Sequence, residues 1–160
     1  VFRTYPITDE IREKEKDWSG FTGNQFSIRT DGGNRVAGNY AEIVFQKMYP
    51  HALRISDVDQ NADFVLRGKR IDVKTKVRTV PAQPHYEASV ELRQADFDVD
   101  FYCFFSFNRI AQIMEYCGWI SKQELHKVAN KVKQGQVDKR NEWTQSVASF
   151  QITYDKLHYS

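Results

Sequence analysis

Ala62-Asp63-Phe64-Val65-Leu66-Arg67-Gly68-Lys69-Arg70-Ile71-Asp72-Val73-Lys74-Thr75-Lys76 reads as a tight β-hairpin. Asp63 to Leu66 and Arg70 to Val77 are β-favouring runs on either side of Gly68. In the second run Ile71, Val73, Thr75 and Val77 alternate with Arg70, Asp72, Lys74 and Lys76, so one face is apolar and the other charged. A two-residue turn at Gly68-Lys69, with glycine first as a type II′ turn prefers, pairs Arg67 with Arg70, Val65 with Asp72 and Asp63 with Lys74. Asp63, Asp72 and Lys74 then share a face, the two aspartates being diagonal neighbours within reach of one ion. A three-residue turn would send Asp63 to the opposite face. Two carboxylates and a lysine so placed can hold a divalent metal beside a phosphate and activate a water. The plain alternative is a solvated hairpin face with ordinary cross-strand ion pairs, Asp63 with Lys74 in particular.

Upstream of the hairpin, Val36, Tyr40, Val44 and Met48 recur every four residues with Ala37, Ala41 and Phe45 beside them. That spacing predicts an amphipathic helix over about 35–49, opening after a turn at Asp31-Gly32-Gly33-Asn34 and ending at Pro50. Glu42 lies off its apolar stripe, near Asn39 and Gln46. Leu53 to Val58 is expected as a first strand, followed by a turn at Asp59-Gln60-Asn61. Downstream, Val80 to Pro84 reads as a loop and Tyr86 to Leu92 as a strand. Phe101 to Phe107 is nearly unbroken apolar, as for a strand covered on both faces. Ile110 to Ile120 is a further strand, joined to it around Asn108-Arg109. Ser121-Lys122-Gln123-Glu124 is a capping box in sequence. Leu125, Val128, Ala129 and Val132 give its helix an apolar stripe, with Gly135 as a stop and with Lys127 and Lys131 facing away. Phe150, Ile152 and Tyr154 alternate as a last strand.

At 160 residues the chain is most simply one domain, 1–160, long enough to bury roughly 70% of its unfolded surface. Residues 1–30 read as an N-terminal extension with a short charged helix from Thr8 or Asp9 to Asp17, and 136–160 as a C-terminal segment. A net charge of +2 does not by itself imply nucleic acid. Its distribution says more: Arg67, Lys69, Arg70, Lys74, Lys76 and Arg78 stand against Asp72 alone. Cys103 and Cys117 sit in apolar runs, as buried free thiols do, and no zinc-ligand spacing is present. No N-terminal apolar signal region or membrane-length apolar run occurs, so a soluble, cytoplasmic chain is expected, of phage or mobile-element type by inclination. The chain opens at Val1, so removal of an initiator methionine or more is expected.

The pattern of Asp63, a short gap, then Asp72-Val73-Lys74 in a hairpin resembles the PD-(D/E)xK superfamily, the restriction-endonuclease-like nucleases. Ala62 stands where the usual proline would precede the first aspartate. The resemblance covers roughly residues 35–125 and implies an α/β fold with a mixed central sheet flanked by helices. It implies a metal-dependent deoxyribonuclease that hydrolyses phosphodiester bonds and leaves a 5′-phosphate. By the same resemblance Asp63, Asp72 and the Val73 carbonyl would hold Mg²⁺, with Mn²⁺ able to substitute. Glu42, on the helix before the hairpin, would be the third acidic residue, and Lys74 would orient or deprotonate the attacking water.

DNA is the expected partner. Lys76 and Arg78 continue the charged strand towards phosphates, and Lys127 and Lys131 are further candidate contacts. Gln83, His85 and Gln94 follow the motif without a spacing that assigns any of them a role, and His51, His126 and His158 are isolated. Trp18, Phe21, Phe26 and Trp143 are surplus aromatics near the ends, and a homodimer using one end segment is a further expectation. The rival from another class is a non-catalytic nucleic-acid-binding module with the same fold; a structural protein with a fortuitous motif is the third.

Overall fold

A computed structural model describes residues 2–22, 32–133, 137–138, 143–144 and 148–159. The chain is mixed α/β. Strands β1 (Arg3–Pro6), β2 (Leu53–Arg54), β3 (Phe64–Leu66), β4 (Lys69–Arg78), β6 (Phe101–Asn108) and β7 (Ile113–Ser121) form one sheet in the order β1-β7-β6-β4-β3-β2. Of its neighbouring pairs only β4 and β6 run parallel, in register from Ile71 opposite Phe101 to Arg78 opposite Asn108. A parallel pair needs a crossover. Here β5 (Glu87–Glu91) and a 3-10 turn at Leu92–Gln94 supply it.

Helices α1 (Asp9–Thr22) and α2 (Gly32–Met48) cover one face of the sheet. Ala37, Ala41, Ile43, Val44 and Phe45 of α2 bury against Phe64, Ile71, Val73, Cys103, Phe105 and Phe107. The opposite face carries Tyr102, Phe104, Cys117 and Ile120. It is covered by α3 (Lys122–Val128) and a three-stranded sheet ordered β5-β11-β8, with β8 at Asn130–Val132 and β11 at Ser149–Thr153. A separate pair, β9 (Val137–Asp138) with β10 (Trp143–Thr144), completes the described strands. β6 therefore contributes to both cores, as its unbroken apolar run requires. Cys103 and Cys117 are buried free thiols, as expected.

Several sequence expectations are corrected. The hairpin turn is Arg67-Gly68, not Gly68-Lys69. Arg67 has φ 52° and Gly68 φ 76°, so both central residues are left-handed, as a type I′ turn demands. Val65 consequently pairs with Arg70 and Phe64 with Ile71. The register moves by two residues rather than one, so each side chain keeps its face.

Residues 2–22 of the expected N-terminal extension are part of the fold: β1 is the sheet's edge beside β7, and α1 runs past Asp17 to Thr22. α2 begins at Gly32, so the expected turn there is mostly helix. The strand expected over Leu53 to Val58 is two residues long, because the chain turns at Ser56–Val58. The helix after Ser121 stops at Val128, and Lys131 falls on β8. Ser121 Oγ does accept the Glu124 amide at 3.0 Å, but the Glu124 carboxylate contacts His158 Nε2 at 2.7 Å. Gly135 and Phe26 lie outside the described residues.

Candidate active site

The site is built beside the start of β3, where β4 runs on past it. β3 begins only at Phe64, and just before it Asp63 Oδ2 accepts the Val73 amide at 2.8 Å. The Asp63 backbone is fixed by its own amide donating to the Ile71 carbonyl at 2.9 Å. Its carbonyl accepts the Ile55 amide at 2.8 Å. The paired register ends with Phe64 opposite Ile71, so Asp63 lies just beyond it. The Asp72 carboxyl is near enough for its charge to raise the Asp63 pKa.

On the same face, Lys74 Nζ lies 2.9 Å from Asp72 Oδ2 and donates to Gln94 Oε1 at 2.6 Å. Gln94 arrives from the 3-10 turn of the crossover. Asp72 is 8% exposed, so this charged row is covered rather than solvated.

Glu42 comes from α2, several of whose polar residues tie to other parts of the chain. Asn39 donates to Glu15 of α1 at 3.0 Å, and Gln46 donates to the Ala52 carbonyl at 2.8 Å. Glu42 Oε1 accepts from Ser56 Oγ at 2.8 Å and from Arg54 Nε at 3.3 Å. Arg54 is itself held: its guanidinium stacks over Trp18 at 3.6 Å and pairs with Asp57 at 2.7 Å. Trp18, counted from sequence among candidate interface aromatics, is thus committed within the chain.

The acids perturb one another. Burial pushes Glu42 up to about 7; Arg54 and Ser56 oppose the rise and Asp72 adds to it. Burial also raises the Asp63 carboxyl well above the carboxylate range, and the neighbouring charges of Glu42 and Asp72 add to that. Burial alone would lower the Lys74 ammonium. The attraction of Asp72, then Asp63 and Glu91, outweighs burial, and its pKa is raised. Glu42 and Asp63 thus hold their protons more readily than free carboxyls do.

This donor set fits Mg²⁺, which typically uses one or two carboxylates and keeps several waters. Asp63 and Asp72 supply that pair. Among the described residues no group of three or more His, Cys, Asp or Glu forms a ready metal cluster, which agrees with Glu42 being engaged by Arg54.

The expected phosphate contacts fare differently. Lys76 lies on the Asp72 face of β4, half-buried. Arg78 is occupied: it donates to the Glu87 carbonyl and the Tyr154 hydroxyl and stacks on Tyr86. Lys127 is exposed on α3, and Lys131 lies over the Phe150 ring at 5.6 Å on β8. α3 packs on β7 and β11, and β8 pairs with β11, so these two lysines stand apart from the cluster.

Sequence reasoning missed Arg54 and Ser56 as partners of Glu42, since they fall in a segment read as strand. It weighed Gln94 without assigning it, because a residue in a 3-10 turn carries no periodic signal. No protein-family model matches the chain, and no curated protein sequence matches it. Among the described residues no helix is long and apolar enough to cross a membrane.

Proposed function

We propose that this protein is a metal-dependent nuclease that hydrolyses DNA phosphodiester bonds. The observation that carries the reading is the Asp63 carboxylate on the Val73 amide beside the Asp72–Lys74 pair, with Glu42 of α2 near enough for its charge to act on Asp63. The succession of α2, the β3–β4 hairpin and the parallel strand β6 supports the finer reading of the core as restriction-endonuclease-like.

Asp63, Asp72 and the Val73 carbonyl would hold the metal. When bound, Mg²⁺ would neutralise the scissile phosphate and acidify a water. Lys74 keeps its proton, because the surrounding carboxylates raise its pKa. It therefore acts as a donor that orients the water and faces the phosphate, rather than as the base. Gln94 gives the Lys74 ammonium a second anchor beside Asp72. Arg54 and Ser56 hold Glu42 at the edge of the acid pair, where its second oxygen is left to the site.

Supercoiled plasmid incubated with Mg²⁺, Mn²⁺ or EDTA tests the reading. Nicking by the wild type in either metal, absent in EDTA and absent in Asp72→Asn, is the expected result. Cleavage by Asp72→Asn at saturating Mg²⁺ sinks the assignment. The non-catalytic module is the second reading, favoured by one observation: each acid already has a partner within the protein. It predicts DNA binding with no nicking in either metal.

A further inference from the structure

Asp72, Lys74, Lys76 and Arg78 project in one row from β4, roughly 7 Å from one to the next. That spacing is of the same order as the distance between successive phosphates of a nucleic-acid strand. Three of the four side chains have hydrogen-bond partners within the protein, although Arg78 Nε makes no hydrogen bond. Asp72 and Lys74 pair at 2.9 Å, and Lys74 also holds Gln94. Arg78 donates to the Glu87 carbonyl at 3.1 Å and to the Tyr154 hydroxyl at 3.3 Å. Its guanidinium lies 4.7 Å from the Tyr86 ring centre and 5.7 Å from that of Tyr154.

Lys76 has no hydrogen bond or ion pair to any described residue. Its register neighbour on β6 is Ser106, fully buried and uncharged, whose hydroxyl also lacks a partner. Beyond Ser106 on β7 lies Glu115, whose Oε1 is taken by the Ala82 amide at 2.8 Å. Glu87 of β5 is the acid whose charge reaches Lys76, and Arg78 is the neighbouring cation that opposes it. A half-buried ammonium with no direct ion pair is costly, and a ligand phosphate can supply the contact that Glu87 does not make.

We propose that Lys76 binds the phosphodiester adjacent to the one at the Asp63, Asp72 and Lys74 cluster, so that the bound strand runs along β4. This rests on the nuclease reading and narrows the expected basic contacts on β4 to one residue. Burial, helped by Arg78 and opposed by Glu87, lowers the Lys76 ammonium to about 8. Binding needs the charged form, so affinity is held below that pH and lost above it.

The test is fluorescence anisotropy of a labelled oligonucleotide, in EDTA and again with Ca²⁺, from pH 6.5 to 9.5 at several salt concentrations. Lys76→Met should weaken binding about tenfold at pH 7, as for one lost charge-assisted contact. It should also reduce the magnitude of the salt slope by about 1. Wild-type affinity should fall through pH 8, whereas Lys76→Arg should bind with no such fall. Melting of Lys76→Met should match or exceed the wild type, because the variant removes an unpaired buried charge. Unchanged affinity and slope in a folded Lys76→Met overturns the proposal. So does a marked loss of stability, which would mark a structural lysine. If wild type nicks plasmid while Lys76→Met binds normally, this inference alone fails. If wild type binds DNA through Lys76 but never nicks, the nuclease reading alone fails. A wild type with no affinity for the oligonucleotide overturns both.

Discussion

At the cluster, each substitution changes a charge that its neighbours feel, so stability and activity have to be read together. Lys74→Met removes the cation paired with Asp72 and near Asp63. It should abolish nicking and, without a divalent cation at pH 7, destabilise the fold by about 1–3 kcal/mol. That penalty should shrink at pH 5, where Glu42 is protonated. Asp72→Asn keeps a polar partner for Lys74 and removes the repulsion on Asp63. It should stay within about 1 kcal/mol of wild type while losing cleavage and metal binding. Paired urea unfolding and plasmid assays check both; a Lys74→Met penalty that grows at pH 5 contradicts the electrostatic account. Gln94→Leu tests the positioning of Lys74. A roughly tenfold or greater fall in kcat with little change in KM is expected if the 2.6 Å hydrogen bond aims the ammonium. An unaltered kcat removes Gln94 from the site.

The hairpin fixes where the acids stand. Its turn has Arg67 and Gly68 at positive φ, and Gly68→Val should cost about 1–2 kcal/mol in unfolding free energy. Gly118, at φ 131°, sits at the β6–β7 bulge, where a Cβ would come within 2.7 Å of the His158 carbonyl. Gly118→Ala should therefore loosen the closing segment around the Trp119–His158 bridge, visible as faster amide exchange there. Much of this scale was legible in the sequence. The alternation of Ile71 to Val77 placed Asp72 and Lys74 on one face, and the apolar stripe of α2 left Glu42 on its edge. Parity survived the wrong turn residue because the register error was an even number. What stayed hidden was non-local. Nothing along the chain says that Arg54 stacks on Trp18, that residues 3–6 complete the sheet, or that Asn130 to Val132 leave the helix to pair with β11. Val128 ends the helix half exposed because the chain is recruited by a strand partner rather than following its own 3.6-residue period.

For the molecule as a whole, the buried acids make stability depend on pH and cation together. Glu42 has its folded pKa raised to about 7 from 4.5. Its protonated form favours the fold, so that contribution is complete below about pH 4.5 and is lost as pH rises through 7. Asp63, raised as well, acts in the same direction. Melting in EDTA should therefore fall between pH 5 and 8, and Mg²⁺ should restore more at pH 8 than at pH 5. A Mg²⁺ effect that is larger at pH 5 contradicts this. The dimer expected from the end aromatics loses Trp18 to the internal stack on Arg54. Light scattering with and without DNA tests what is left of that expectation. One topological fact bears on how a cell could make such a protein safely. Glu42, Asp63, Asp72, Lys74 and Gln94 all precede residue 100, yet β4 is held along its whole site-bearing length by β6, which begins at Phe101. During vectorial synthesis every reactive side chain leaves the ribosome before the strand that aligns them. An unfinished chain is therefore inert, and whatever chemistry the cluster performs is armed only once translation has passed it.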